Sequence, residues 1–122
     1  MKNMEQIRAQ NAWNVNENIG GKQGGEVVKK LPALIRTNGI LCTIAYCIEQ
    51  KGEEDNGYKK IMDIIAKHLS HPEIGRCKGI NNGKELLNYL TSKDSQTLRA
   101  VTSETQAFLN YLRRFVKKGA AK

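Results

Sequence analysis

Three kinds of residue are scarce in this chain, and each scarcity closes off a class of protein. There are two histidines, His68 and His71, and three cysteines, Cys42, Cys47 and Cys77. Two imidazoles three residues apart make half of a tetrahedral metal site at best, and no carboxylate–cysteine set nearby completes one. An odd cysteine count argues against a disulfide framework. On a helix, positions 42 and 47 point about 140° apart, so those two thiols do not pair with each other. Aromatic residues make up 6% of the chain, with one tryptophan, Trp13, which leaves few surfaces on which bases can stack. Apolar runs are short, and none approaches the roughly 20 residues needed to span a bilayer. The first six residues, Met1 to Gln6, hold no apolar block and no cleavage signal, so a cytoplasmic chain is expected.

Positive charge is what the chain has in excess. Twenty Lys and Arg stand against 12 Asp and Glu, a net charge of +8 and a pI near 9.5. Such a field favours polyanions, of which nucleic acid is the commonest in a cytoplasm. The length of 122 residues suits a single domain over 1–122, and a mean hydropathy of −0.55 fits a globular chain.

The apolar spacing is helical throughout. Met4, Arg8, Ala12, Val15 and Ile19 predict a first helix over about 3–19, ended by the glycines of 20–25. Val27, Val28, Leu31, Leu34 and Ile35 predict a second over about 25–37, which Pro32 must bend or break. Asn38-Gly39 is a left-handed stop, followed by Ile40 to Ile48, apolar on almost every side and therefore expected at the centre of the domain. Residues 53–57 offer N-caps to a fourth helix over about 58–70. Residues 72–81 read as a loop, and Asn82 with Glu85 has the spacing of a capping box for a short helix to Leu90. Asp94 or Ser95 then opens a long amphipathic helix to about Lys118, with Leu98, Val101, Thr105, Phe108, Leu112 and Phe115 on its apolar side. No strand is predicted, so the fold class is all-α: a compact bundle of five to six helices.

The cations gather in two segments. Lys29, Lys30 and Arg36 sit on the second helix, and Arg113, Arg114 and Lys117 near the end of the last. On a helical wheel Gln106, Asn110, Arg113 and Lys117 fall within about 40° of Arg99, opposite the apolar stripe. Cations there also suit the negative end of the helix dipole, worth about 0.3–1 kcal/mol. Arginines at several separate positions match phosphate oxygens, which a guanidinium grips with two parallel hydrogen bonds. Arg8 differs: it falls inside the apolar stripe of the first helix, where an unpaired charge is costly. A structural ion pair with Glu104 of the last helix is expected. Trp13 lies off its helix's apolar stripe, either packed on a neighbouring helix or left as a stacking surface or partner anchor. His68 and His71 read as surface residues at a helix C-terminus rather than as an acid–base pair for RNA cleavage. Gly20-Gly21-Lys22 lacks the Ser/Thr and upstream strand of a phosphate-binding loop, and Gly21-Lys22-Gln23-Gly24 lacks the sheet of a KH domain.

The order Lys30-Leu31-Pro32-Ala33-Leu34-Ile35-Arg36-Thr37-Asn38-Gly39-Ile40 resembles the small subunit of the type III-B CRISPR–Cas effector, the Cmr complex. The resemblance begins at Arg8-Ala9 and Ala12, and resumes from Asp94-Ser95 through Leu98-Arg99-Ala100, Thr102 and Glu104. It closes on Leu109 to Phe115 and so spans most of the chain, although Tyr111 stands where the family often has tryptophan and the glycine-rich loop is unusual. It implies an all-helical, non-catalytic subunit without a cofactor, stacked in copies beside the guide–target duplex. The implied partners are CRISPR RNA, target RNA, and the backbone and large polymerase-like subunits. Lys29, Lys30, Arg36, Arg113, Arg114 and Lys117 are the implied contacts to target-strand backbone. The competing reading is a stand-alone nucleic-acid binder of helix-turn-helix type, with Thr37-Asn38-Gly39 as the turn; the apolar helix that follows is ill suited to enter a groove.

Overall fold

The structure, a computed structural model, describes residues 3–15, 24–49 and 57–116. Among them are six helices and no strand: α1 (Met4–Val15), α2 (Gly24–Asn38), α3 (Ile40–Glu49), α4 (Tyr58–Leu69), α5 (Gly83–Thr91) and α6 (Ser95–Phe115). The expected first helix beyond Val15, the glycine-rich loop before Gly24 and the acidic turn of 53–56 lie outside the described residues.

Side-chain caps set three of the helix starts. Asn82 Oδ1 accepts from the Glu85 N–H at 2.9 Å, while the Glu85 carboxylate accepts from the Asn81 N–H at 2.7 Å. Asp94 accepts from the Thr97 N–H at 2.9 Å, and that bond holds its carboxyl below the usual range. Asn3 and Gln6 cap α1 in the same reciprocal way, at 2.8 and 2.9 Å. By contrast α4 starts at Gly57, left-handed with φ 86°, and no side chain caps it.

Pro32 lies inside α2 without ending it. The missing donor is outweighed by burial on both sides of it, since Val27, Val28, Leu31 and Ile35 all sit in the core. Gly39, at φ 87°, turns the chain directly into α3. Its N–H returns to the Ile35 carbonyl at 2.8 Å, and Thr43 Oγ1 donates to the Gly39 carbonyl at 2.8 Å.

The long α6 packs against α1, α2 and α4, while α3 packs against α2, α4 and α5. One cluster of buried side chains joins all six helices, from Ala12 on α1 to Leu112 on α6. The expectation that α3 is enclosed on all sides is corrected here. Ile40, Thr43, Ile44 and Cys47 face inward, whereas Cys42, Tyr46 and Glu49 are exposed. Three neighbouring helices cover one face of α3 and leave the other to solvent. Two cysteines are buried, and burial pushes the Cys47 thiol up to about 12 and the Cys77 thiol up to about 11, which makes them inert hydrophobes. Where α5 meets α4, a Cβ on Gly83 would fall 2.7 Å from Met62 Cγ, so only glycine permits that approach.

Candidate nucleic-acid interface

α2 and α6 lie side by side, and their outward edges frame a groove of about 660 Å³. Lys29, Pro32, Ala33 and Arg36 recur at helical spacing along one wall. Thr102, Gln106, Asn110 and Arg113 form the other. The two walls are tied together by Gln106, whose Nε2 donates to the Pro32 carbonyl at 3.1 Å. Lys29, Arg36 and Arg113 are all exposed. The ion pairs among the described residues are Arg8–Glu104, Lys59–Asp63 and His68–Glu104, so no described carboxylate engages the groove's cations.

The groove gathers three of the six residues expected to face RNA. Lys30 and Arg114 are exposed but do not line it. Each is the sequence neighbour of a lining residue and therefore points about 100° away around its helix. Lys117 lies outside the described residues. Arg99, expected on the same edge of α6, is exposed just beyond the groove and lines a neighbouring depression.

A second set of charges lies on the opposite side of α6. Arg8 donates from Nε and Nη2 to the two oxygens of Glu104, both at 2.8 Å. His68 Nε2 lies 3.0 Å from the same carboxylate, and its Nδ1 lies 3.0 Å from Asn11 Nδ2. With the proton of the neutral ring on Nε2, one nitrogen donates to Glu104 and the other accepts from Asn11. The ring also stacks on Phe108, with centroids 4.0 Å apart. Burial alone would raise the Glu104 carboxyl, but the hydrogen bonds from Arg8 and His68 outweigh it and bring it down to about 2. Burial pushes the His68 imidazole below its ordinary value, against the opposing pull of Glu104.

The expectation that His68 is a surface residue is therefore corrected: it is 3% exposed. The signal was present, because on a helical wheel His68 falls within about 20° of Ile61, at the edge of the α4 stripe. His71 is half-buried, and its Nδ1 accepts from the Glu73 N–H at 3.1 Å. With both nitrogens of His68 engaged inside the bundle, the two rings do not present an acid–base pair to a strand outside it. No group of three metal-binding side chains converges among the described residues. The helix-turn-helix reading also loses its footing, because α3 contains no lysine or arginine and a recognition helix needs donors for phosphates and base edges.

These features define a class, a small basic all-α bundle with three exposed cations, none in a described ion pair, along one groove. Residues 4–118 match the family described as CRISPR-associated protein (Cas_Cmr5). The chain belongs to the Cmr5 family, the small subunit of the type III-B Cmr complex. Its fold is similar to the crystal structure of a CRISPR-associated Cmr5 family protein from Thermus thermophilus. That likeness has a TM-score of 0.75 over 94% of this chain and 96% of the other, at 20% identity. No helix among the described residues is long and apolar enough to cross a membrane.

Proposed function

We propose that this Cmr subunit is a non-catalytic, cytoplasmic single-domain protein that holds the sugar–phosphate backbone of the target RNA in the α2–α6 groove. In this reading Lys29, Arg36 and Arg113 are the central contacts, with Lys30, Arg114 and Lys117 as flanking ones. Arg8 and Glu104 form a structural pair that takes no part. Copies lie side by side along the guide–target duplex, next to the backbone and large polymerase-like subunits. The observation that carries the reading is the convergence of three exposed cations on one groove with no described carboxylate to neutralise them. The groove offers cations and neutral amides but no aromatic ring. It therefore suits phosphates, which carry no sequence information. A subunit that must accept any target sequence needs that indifference. One copy reaching a few phosphates binds weakly, and affinity accumulates over copies held on one strand.

Salt titration tests this. For Arg36→Ala with Arg113→Ala, the log–log slope of single-stranded RNA affinity against salt is expected to fall by about 0.7 per lost contact. The loss should be the same for every RNA sequence, and the RNA should remain intact throughout. An unchanged slope would clear both arginines of the role. RNA turnover abolished by His68→Ala would overturn the non-catalytic reading.

A further inference from the structure

The groove makes no use of the chain's one tryptophan, and the surroundings of that residue differ from the rest of the surface. Trp13 is 58% exposed on α1 and rests against Phe115 in an edge-to-face contact of 5.4 Å. In a chain of net charge +8, α1 carries just two charged residues, Glu5 and Arg8. Both are engaged, Arg8 by Glu104 and Glu5 by the Tyr111 hydroxyl at 2.8 Å. A large exposed aromatic on a helix whose two charged residues are both engaged has the composition of the centre of a protein–protein interface. A stacking platform for nucleic acid would instead be flanked by free cations. Arg114, next to Phe115 in sequence, points about 100° away from it around α6.

A seat for such a ring lies at the other end of α6. Between the α2–α3 corner and the start of α6 is a depression of about 690 Å³. Leu41, Cys42 and Leu98 supply its apolar walls, and Arg99 is its one charged residue. A guanidinium over an indole face is attractive, so the seat suits a tryptophan in charge as well as in polarity. From Leu98 to Phe115 is about 25 Å along the helix at 1.5 Å per residue. The seat and Phe115 also fall on roughly opposite sides of the α6 axis. Two complementary patches on opposite sides cannot both be satisfied by one partner copy, which excludes a closed two-fold dimer. Association through them runs head to tail.

We propose that Trp13 of one copy docks in the Leu41–Cys42–Leu98 depression of the next, against Arg99, and so builds an open row of copies. The proposal rests on the reading of the chain as a subunit laid in copies along RNA, and it assigns the two surfaces that join them. Thr102 lines both the depression and the groove, which places the joint beside the cations that hold the strand.

The test uses the full-length protein with a short unstructured RNA that holds one copy and a long one that holds many. Wild type should bind the long RNA cooperatively. Trp13→Ala and Cys42→Glu, both at exposed positions, should each abolish that cooperativity. Long-strand affinity should fall by about tenfold or more, with short-strand affinity unchanged. Mixed without RNA, the Cys42→Glu copy still offers its tryptophan and the Trp13→Ala copy still offers its seat. Indole emission should shift to the blue on mixing, and complexes should stop at two copies. Cooperativity indifferent to both substitutions, or no emission shift on mixing, would overturn the docking. A loss of short-strand affinity in Trp13→Ala would also overturn it, because Trp13 would then be a base-stacking residue. If wild type fails to bind the short RNA, the groove reading falls, and the RNA-free mixing decides the docking by itself.

Discussion

Two sets of arginines meet α6, and the fold treats them in opposite ways. On the side that faces α1 and α4, Arg8 is gripped by both oxygens of a carboxylate that is 2% exposed, with His68 closing the same network. On the side that faces α2, Arg36 and Arg113 extend into solvent beside a groove, with no described acid near enough to pair. A buried charge must be neutralised inside the protein, because stripping its water costs several kcal/mol. A cation left hydrated at the surface costs the fold little and keeps its charge for a ligand. On the proposed function, pairing therefore separates cations that hold the bundle together from cations left free for a partner.

The largest effect that tests this contrast is Glu104→Ala. It leaves Arg8 partly buried without a counter-charge and takes the acceptor from His68, so unfolding free energy should fall by about 3–5 kcal/mol. Arg36→Ala with Arg113→Ala removes two charges where Glu104→Ala removes one, yet each surface change should stay within about 0.5 kcal/mol. Urea unfolding of both variants checks the comparison. Equal losses would show that the groove arginines also hold the fold, and the separation would fail.

Of the two sides compared, acidification should act on the buried one, through two groups with the same sign. The imidazole of His68 is lowered in the folded state. The unfolded chain therefore takes up its proton first, and stability declines as pH falls below the ordinary value of about 6.5. Glu104 is held near 2 in the fold against an unfolded value of 4.5. Its contribution, on the order of 3 kcal/mol, is complete above the unfolded value and is lost as pH falls toward 2. The two share a hydrogen bond and titrate as a unit. The melting temperature should decline from about pH 6.5 downward and more steeply below 4.5. His68→Gln should flatten the upper limb. A melting temperature that rises on acidification would mean that the network is better satisfied with a charged imidazole.

The periodic elements were legible in the sequence because helical spacing and caps are local. The α5 and α6 starts follow from Asn82, Glu85 and Asp94, and the α2–α3 corner from Asn38-Gly39. What local rules missed depended on neighbours. Ile40 to Ile48 reads as apolar all round, yet the sequence does not reveal how many helices cover it, and Cys42 and Tyr46 ended outside. Asn3 with Gln6 also makes a reciprocal cap, with the same spacing that marked Asn82 and Glu85, yet the sequence reading of the first helix did not use it. His68 was misread for a different reason. The wheel argument that flags Arg8 as a charge within an apolar stripe applies to His68 beside Ile61 as well, and proximity to the helix C-terminus obscured it. Of the basic residues, the wheel already set Arg113 beside Gln106 and Asn110 and left Arg114 off that edge, but the sequence alone could not distinguish Lys29 from Lys30. That choice depends on where α2 meets α6.

Thr105 tests the contrast at its smallest scale, where the group is polar but uncharged. Three other threonines in the bundle return their hydroxyls to the helix, Thr43 to the Gly39 carbonyl at 2.8 Å, Thr91 to the Asn88 carbonyl at 2.9 Å and Thr102 to the Leu98 carbonyl at 2.7 Å. Thr105 is fully buried one position from Glu104, and its hydroxyl has no hydrogen-bond partner. Burying a hydroxyl unsatisfied costs about 1–3 kcal/mol, whereas an apolar group of the same shape avoids that cost. Thr105→Val should therefore stabilise the protein by about 1 kcal/mol, raise the urea midpoint and leave RNA affinity unchanged. Thr43→Val, which removes a made bond, should shift the midpoint the other way. If Thr105→Val destabilises instead, the hydroxyl is bonded in solution by a buried water. The polar network of Arg8, Glu104 and His68 would then extend one residue further into α6.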